Sequence, residues 1–164
     1  MSPSSALLDR ARDGDHAACH ALVNTHGPLV YGMCRRMAHE PDDCYQEVWE
    51  KVFRSLHRFD SSGPAPLRAW IATLTRRHLI DRHRRSETRA QVVSLDGLFA
   101  RGQTAAELTD RVWLVQRLDA ALEQLPHDQR QAVVLHYIHD TPLADLAADI
   151  GVPVGTLKSR LHRG

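Results

Sequence analysis

Apolar residues recur three and four positions apart along almost all of this 164-residue chain, and no run alternates with the period of two that a strand needs. That pattern restricts the chain to helices packed on helices. In "PDDCYQEVWEKVFRSLHRF", Val48, Val52 and Leu56 repeat at four, and Trp49 and Phe53 widen the stripe. Its opening Pro41 and the acids behind it suit a helix N-terminus. "DSSGPAP" is a loop signal. "LRAWIATLTRRHLIDRHRR" then returns to helix, with Trp70, Ile71 and Leu74 on one side and Arg76, Arg77, Arg84 and Arg85 left for solvent or a ligand. Upstream, "SALLDRARDGDHAACHALVNTHGPLVYGMCRRMAH" is expected to form two helices with a break near Gly27-Pro28.

From Ser86 to about Asp110 the periodicity fades into a stretch with two glycines and several Ser or Thr. A structureless connection of that length is unusual inside one compact domain, so two domains are expected. "RVWLVQRLDAALEQLP" opens the second block, "HDQRQAVVLHYIHD" reads as its next helix, and "PLADLAADIGVPVGTLKSRLHRG" follows. The composition, 43% hydrophobic and 25% charged, is globular. No apolar run approaches the roughly 20 residues of a membrane span. "MSPSSALLDRARDGD" lacks the apolar core of a signal peptide, so a cytoplasmic protein is expected.

The net charge of +1 hides an uneven distribution. Arg68 to Arg89 holds seven arginines against two acids, a local +5, whereas Glu40–Asp60 and Gln91–Asp128 each carry −3. A basic stretch between acidic ones suggests one face for a polyanion and another for a different partner. Cys19, Cys34 and Cys44 form no Cys-x-x-Cys pair, which argues against a disulfide framework or a zinc ribbon. His16, Cys19 and His20 could share a helix face, as could His136 and His139, but neither set has a second ligand cluster nearby in sequence. No metal site and no cofactor are therefore expected. Nor does a Ser-His-Asp order or a phosphate-cradling Gly loop stand out, so the chain is not read as an enzyme.

In "LADLAADIGVPVGTLKSRL", Leu146, Ala147, Ile150, Gly151, Val152 and Leu157 fit a helix-turn-helix. Ala147 must be small because the second helix crosses close to it. Gly151 permits a left-handed turn that a residue with a Cβ resists. Pro153 can open the second helix, where its missing N–H costs nothing. Leu157 and Leu161 would be buried at i, i+4, leaving Lys158, Ser159, His162 and Arg163 outward, as a helix lying in a major groove requires. An ordinary helical hairpin with a solvated basic face shares this pattern.

Both blocks resemble the small bacterial sigma factors of the extracytoplasmic-function group. The resemblance is carried by "DDCYQEVWEKVFRSLHRF", "LRAWIATLTRRHLIDRHRR" and "ALEQLPHDQRQAVVLHYIHDTPLADLAADIGVPVGTLKSRLHRG", in family order. It implies an all-α fold of two small helical domains joined by a flexible linker, the second a four-helix domain containing the helix-turn-helix. The boundaries would be a sigma-two-like domain over 1–86, a linker over 87–110 and a sigma-four-like domain over 111–164. The function implied is that of a dissociable subunit that directs RNA polymerase core to promoters and helps open DNA. Asp43, Gln46, Glu47 and Trp49 would dock on the clamp helices of the largest subunits, and the second domain on the flap. Arg76, Arg77, Arg84 and Arg85 would hold the −10 element, with salt-sensitive phosphate contacts. Thr156, Lys158, Ser159, His162 and Arg163 would serve the −35 element, Thr156 holding a phosphate with backbone N–H groups at the helix start. An anti-sigma factor would hold the protein idle, recruiting it to the inner membrane if that partner is membrane-bound; no membrane insertion of the chain itself is implied.

Three features depart from the family pattern. Arg77 stands where Asn is frequent, Leu67 where an aromatic is usual, and members run one or two helical turns past "SRLHRG". A longer chain is accordingly expected to bind the −35 element more tightly than this one. Two other readings stay open from the residues: a stand-alone helix-turn-helix regulator, which leaves the acidic and arginine-rich helices without a task, and a metal- or redox-sensing variant using Cys19, Cys34, Cys44 and histidines.

Overall fold

The computed structural model describes residues 3–61, 66–90 and 110–164, all of them helix or connecting turn. Among the described residues, eight α-helices follow in order: α1 (Pro3–Arg12), α2 (His16–Met37), α3 (Pro41–Ser55), α4 (Leu67–Ala90), α5 (Asp110–Glu123), α6 (His127–Val133), α7 (Leu143–Ile150) and α8 (Val154–Arg163). A 3-10 turn, Leu56–Arg58, closes α3, and a π turn, Val134–Ile138, extends α6. The chain divides into two compact units, Met1–Asp81 and Arg82–Gly164, so the last turns of α4 belong to the second.

In the first unit, α1 and α2 are separated at Gly14, whose φ of +82° is left-handed backbone that favours glycine. Asp15 then caps α2, its carboxylate accepting from Ala17 N and Ala18 N at 2.9 and 3.3 Å. The expected break near Gly27-Pro28 does not occur, and α2 runs through it. An interior proline costs about 3 kcal/mol. Here that cost is offset by the buried residues that follow it: Val30, Met33, Cys34 and Met37. Gly27 serves packing rather than a turn. A Cβ there would lie 2.7 Å from Tyr45 Oη of α3.

Helix α3 begins as its sequence indicates, with Pro41 in the first turn and Asp42 and Asp43 beside the helix N-terminus. Its apolar stripe of Cys44, Val48, Trp49, Val52 and then Leu56 is buried throughout. Edge and tilted ring contacts run from Tyr31 of α2 through Tyr45 and Trp49 to Phe53. Arg12 stitches α1 to the end of this segment by donating to the Leu56 and Phe59 carbonyls. From α4, Ile71, Thr75 and Leu79 are buried at i, i+4, i+8. The one polar member, Thr75, donates its hydroxyl to Ile71 O at 2.8 Å. Trp70 packs its ring on Phe59, centroids 5.3 Å apart, as the supporting residue its position suggests.

The second unit buries Leu122 of α5, Gln131 and Ala132 of α6, Val134 and Leu135 of the π turn, Leu146 and Ala147 of α7, and Leu157 of α8. The stretch expected as one helix from His127 to Asp140 widens after Val133. There His139 N reaches Val134 O, a five-residue step, and Asp140 takes a positive φ of 48°. The widened turn lets Val134 and Leu135, adjacent in sequence, both face inward.

Candidate nucleic-acid interface

The geometry of α8 begins at Gly151. Its φ of 79° and ψ of 36° are left-handed, and its N–H and that of Val152 both reach Ala147 O, at 2.9 and 3.1 Å. This pair of bonds ends α7 and turns the chain. Pro153 stands just before α8, whose first turn carries no acid. Leu157 is fully buried and Leu161 half-buried, forming the seam against the rest of the unit. Thr156, Lys158, Ser159, His162 and Arg163 are all exposed, so the five residues singled out for the −35 element occupy the outer side of one helix. Arg160 faces differently: it is half-buried and pairs with Asp128 Oδ2 of α6 at 2.7 Å, which fixes α8 on its neighbour.

The first unit supplies a second basic feature. Arg77 of α4 lines a cavity of about 240 Å³ with Leu74 and His78 from the same helix and Lys51, Arg54, Ser55 and Arg58 from α3 and its 3-10 turn. Four cations around an apolar floor make a setting for an anion that carries a flat apolar body, which describes a nucleotide. His78 is buried, and its Nε2 lies 2.9 Å from the Glu47 carboxylate of α3. Lys51, Arg54 and Arg58 were not singled out from sequence, although their spacing of three and four puts them on one face. Of the four arginines assigned to the −10 element, Arg76 and Arg77 lie in the first unit, Arg76 half-buried and Arg77 exposed. Arg84 and Arg85 lie in the second, where Arg84 Nη2 donates to Ile150 O at 2.8 Å.

The acidic side of α3 presents Asp42, Asp43, Gln46, Glu47 and Glu50 to solvent. Trp49 is only 5% exposed, held between Tyr45 and Phe53. It stiffens this face from behind and offers little surface of its own. Glu47 meets His78 through one carboxylate oxygen and stays exposed, so Asp43, Gln46 and Glu47 are the outward members of the expected set. Burial pushes the His26 imidazole below its ordinary range, and the charge on Arg68 adds to the shift. No helix among the described residues is long and apolar enough to cross a membrane.

Comparison with known proteins gives two family matches, sigma-70 region 2 over residues 22–89 and sigma-70 region 4 over residues 115–164. Among relatives, the ECF RNA polymerase sigma factor RpoE of Cereibacter sphaeroides is 31% identical over 96% of this chain and 88% of its own length. SigW of Bacillus subtilis, also an ECF RNA polymerase sigma factor, is 27% identical over 96% of this chain and 90% of its own. SigE of Mycolicibacterium smegmatis is 31% identical over 92% of this chain, which spans 61% of that relative. The fold is similar to the sigma factor RpoE solved with the anti-sigma factor NepR from Bartonella quintana, with a TM-score of 0.59, 23% identity, and coverage of 88% of this chain and 89% of that one.

Proposed function

Because this chain belongs to the extracytoplasmic-function sigma factors of bacterial RNA polymerase, we propose that its two basic surfaces divide promoter recognition between them. The single observation that supports this most is α8, with Leu157 sealed inside and Thr156, Lys158, Ser159, His162 and Arg163 aligned outside behind a left-handed Gly151. Such a helix enters the major groove of the −35 element with its N-terminal end nearest the bases. Lys158 and Arg163 neutralise phosphates, and Ser159 and His162 are placed to meet base edges.

The cavity between α3 and α4 takes the single-stranded −10 element. A base leaving the stack enters over Leu74, while Lys51, Arg54, Arg58 and Arg77 hold the flanking phosphates. Arg77 adds charge and a planar donor set, which shape the base preference at that step. Arg76, Arg84 and Arg85 add backbone contacts along α4. The exposed carboxylate side of α3, with Asp43, Gln46 and Glu47 outward, docks on the polymerase clamp helices, and the second unit meets the flap. The chain performs no catalysis itself. It works in the cytoplasm, where an anti-sigma factor masks its docking surfaces and, if membrane-bound, brings it to the inner membrane. The sequence reading sets the domain limits at 1–86 and 111–164 with a linker over 87–110, whereas the compact units divide earlier, between Asp81 and Arg82, so that His83, Arg84 and Arg85 fall in the second.

Holoenzyme assembled from core polymerase and the full chain tests the division. A Lys158→Ala/Arg163→Ala variant should lose affinity for −35 duplex and flatten its salt dependence by about two phosphates' worth, leaving −10 single-strand binding intact. An Arg54→Ala/Arg77→Ala variant should do the reverse. Equal losses on both ligands from either variant would overturn the assignment.

A further inference from the structure

Two histidines 44 positions apart in sequence meet in the second unit. His83 sits on the part of α4 that belongs to that unit, and His127 opens α6. Their imidazoles stack with centroids 3.4 Å apart and planes 16° from parallel. The next residue, Asp128, places Oδ1 3.8 Å from His83 Nε2. One candidate ligand atom from each of the three lies within 4.8 Å of both others, and this is the one such cluster of three among the described residues. All three side chains are half-buried, and His83 Nε2 and His127 Nδ1 are sealed from solvent.

We propose that His83, His127 and Asp128 form a binding site for a divalent transition cation of the zinc class. Two imidazole nitrogens and one carboxylate oxygen are the donors that suit zinc, cobalt or nickel, whereas calcium and magnesium prefer all-oxygen sets. Bonds of about 2.0–2.1 Å at a tetrahedral angle separate ligand atoms by roughly 3.4 Å. To reach that spacing the widest separation must shrink by about 1.4 Å, and the two rings, stacked face to face, must turn so that their in-plane nitrogen lone pairs converge on one ion. Three protein ligands leave a fourth position for water.

Asp128 is also held as a ligating carboxylate commonly is. Its Oδ2 accepts from Arg160 Nη2 at 2.7 Å, which leaves Oδ1 turned toward His83. Arg160 is thus a positioning residue for the site. A bound ion would tie the end of α4 to α6, and through Arg160 to α8. The other histidine groupings do not converge in this way: His20 is engaged with Asn24, and Cys19 with the Ala11 carbonyl. The site uses none of the residues proposed to contact DNA, so it stands or falls separately from the promoter reading.

The chelator-treated 164-residue chain would be titrated with Co²⁺ by absorption and with Zn²⁺ against a chromophoric chelator. The expected result is one tight equivalent, a Co²⁺ spectrum of low-symmetry N/O coordination without a thiolate charge-transfer band, and a higher Tm with Zn²⁺. His83→Ala and His127→Ala should each weaken that equivalent about 100-fold or more. Arg160→Gln should weaken it about 10–100-fold by releasing Asp128. Circular dichroism on each variant guards against misfolding, and His83→Gln serves if the alanine variants do not fold. Absence of a stoichiometric equivalent in the wild type, affinity unchanged in folded variants, or a thiolate band placing the ion at the cysteines would each overturn the proposal.

Discussion

Replacing Gly151 with alanine isolates the backbone requirement of the helix-turn-helix. At φ 79° and ψ 36° an alanine pays about 1–2 kcal/mol for its Cβ in left-handed conformation. Part of that is returned, about 0.4–1 kcal/mol, because alanine narrows the unfolded ensemble. Sterics contribute nothing further, since the nearest atom a Cβ would meet is Arg84 Nη2 at an ordinary 3.7 Å. The net loss is about 1 kcal/mol, roughly a fivefold change in the opening equilibrium of the second unit. Native-state hydrogen exchange reads this locally, which suits a chain of two units better than one global melting curve. The Leu146 and Leu157 amides, bonded to Pro142 O and Pro153 O at 3.0 and 3.2 Å, should lose about fivefold protection, while the Val48 amide in α3 keeps its own. Gly151→Asn should lose distinctly less, because asparagine tolerates this conformation. Equal losses for Ala and Asn, or none for Ala, would refute the argument from φ.

Three further outcomes follow from the packing and the caps. Leu157→Ala should destabilise the second unit by about 2–5 kcal/mol, the range for emptying a fully buried leucine site, and thermal unfolding followed by near-UV circular dichroism would show it. Gly27→Ala forces a Cβ against Tyr45 Oη and should cost about 1–3 kcal/mol, of which Tyr45→Phe in the same chain recovers part; a double-mutant cycle in urea measures the coupling. The Asp15 carboxyl is held below its usual 3.8, first by the Arg10 side-chain hydrogen bond and next by the Ala18 N–H. Its stabilising effect is therefore complete above 3.8 and is lost as pH falls through the lower folded value, so an Asp15→Ala variant should be less stable than wild type at neutral pH, with the gap closing in acid.

Local chemistry made much of the fold readable in advance. The Pro41-Asp42-Asp43 start of α3, the stripe of Val48, Val52 and Leu56, and the turn at Gly151 each follow from neighbouring residues, and each stands where the pattern placed it. Where the outcome depended on distant partners, the sequence was a poorer guide. Pro28 signals a break by itself, yet the burial of Val30, Met33 and Met37 carries α2 through it. Lys51, Arg54 and Arg58 share a face by spacing, but they sit in a stretch with net negative charge, and their joining with Arg77 shows only once α4 packs beside them. The meeting of His83 and His127 left no local trace, because only packing brings residues 44 apart into contact.

Promoter-directed initiation is the central claim, and multi-round run-off transcription on a genomic template library tests it most directly. Core polymerase supplemented with the full chain should start transcripts at a discrete promoter set that core alone ignores, and the Lys158→Ala/Arg163→Ala and Arg54→Ala/Arg77→Ala variants should each deplete that set. Transcription no more selective than that of core alone, with an active core preparation and a folded chain that nevertheless binds duplex DNA tightly, would contradict it and point to a stand-alone helix-turn-helix regulator.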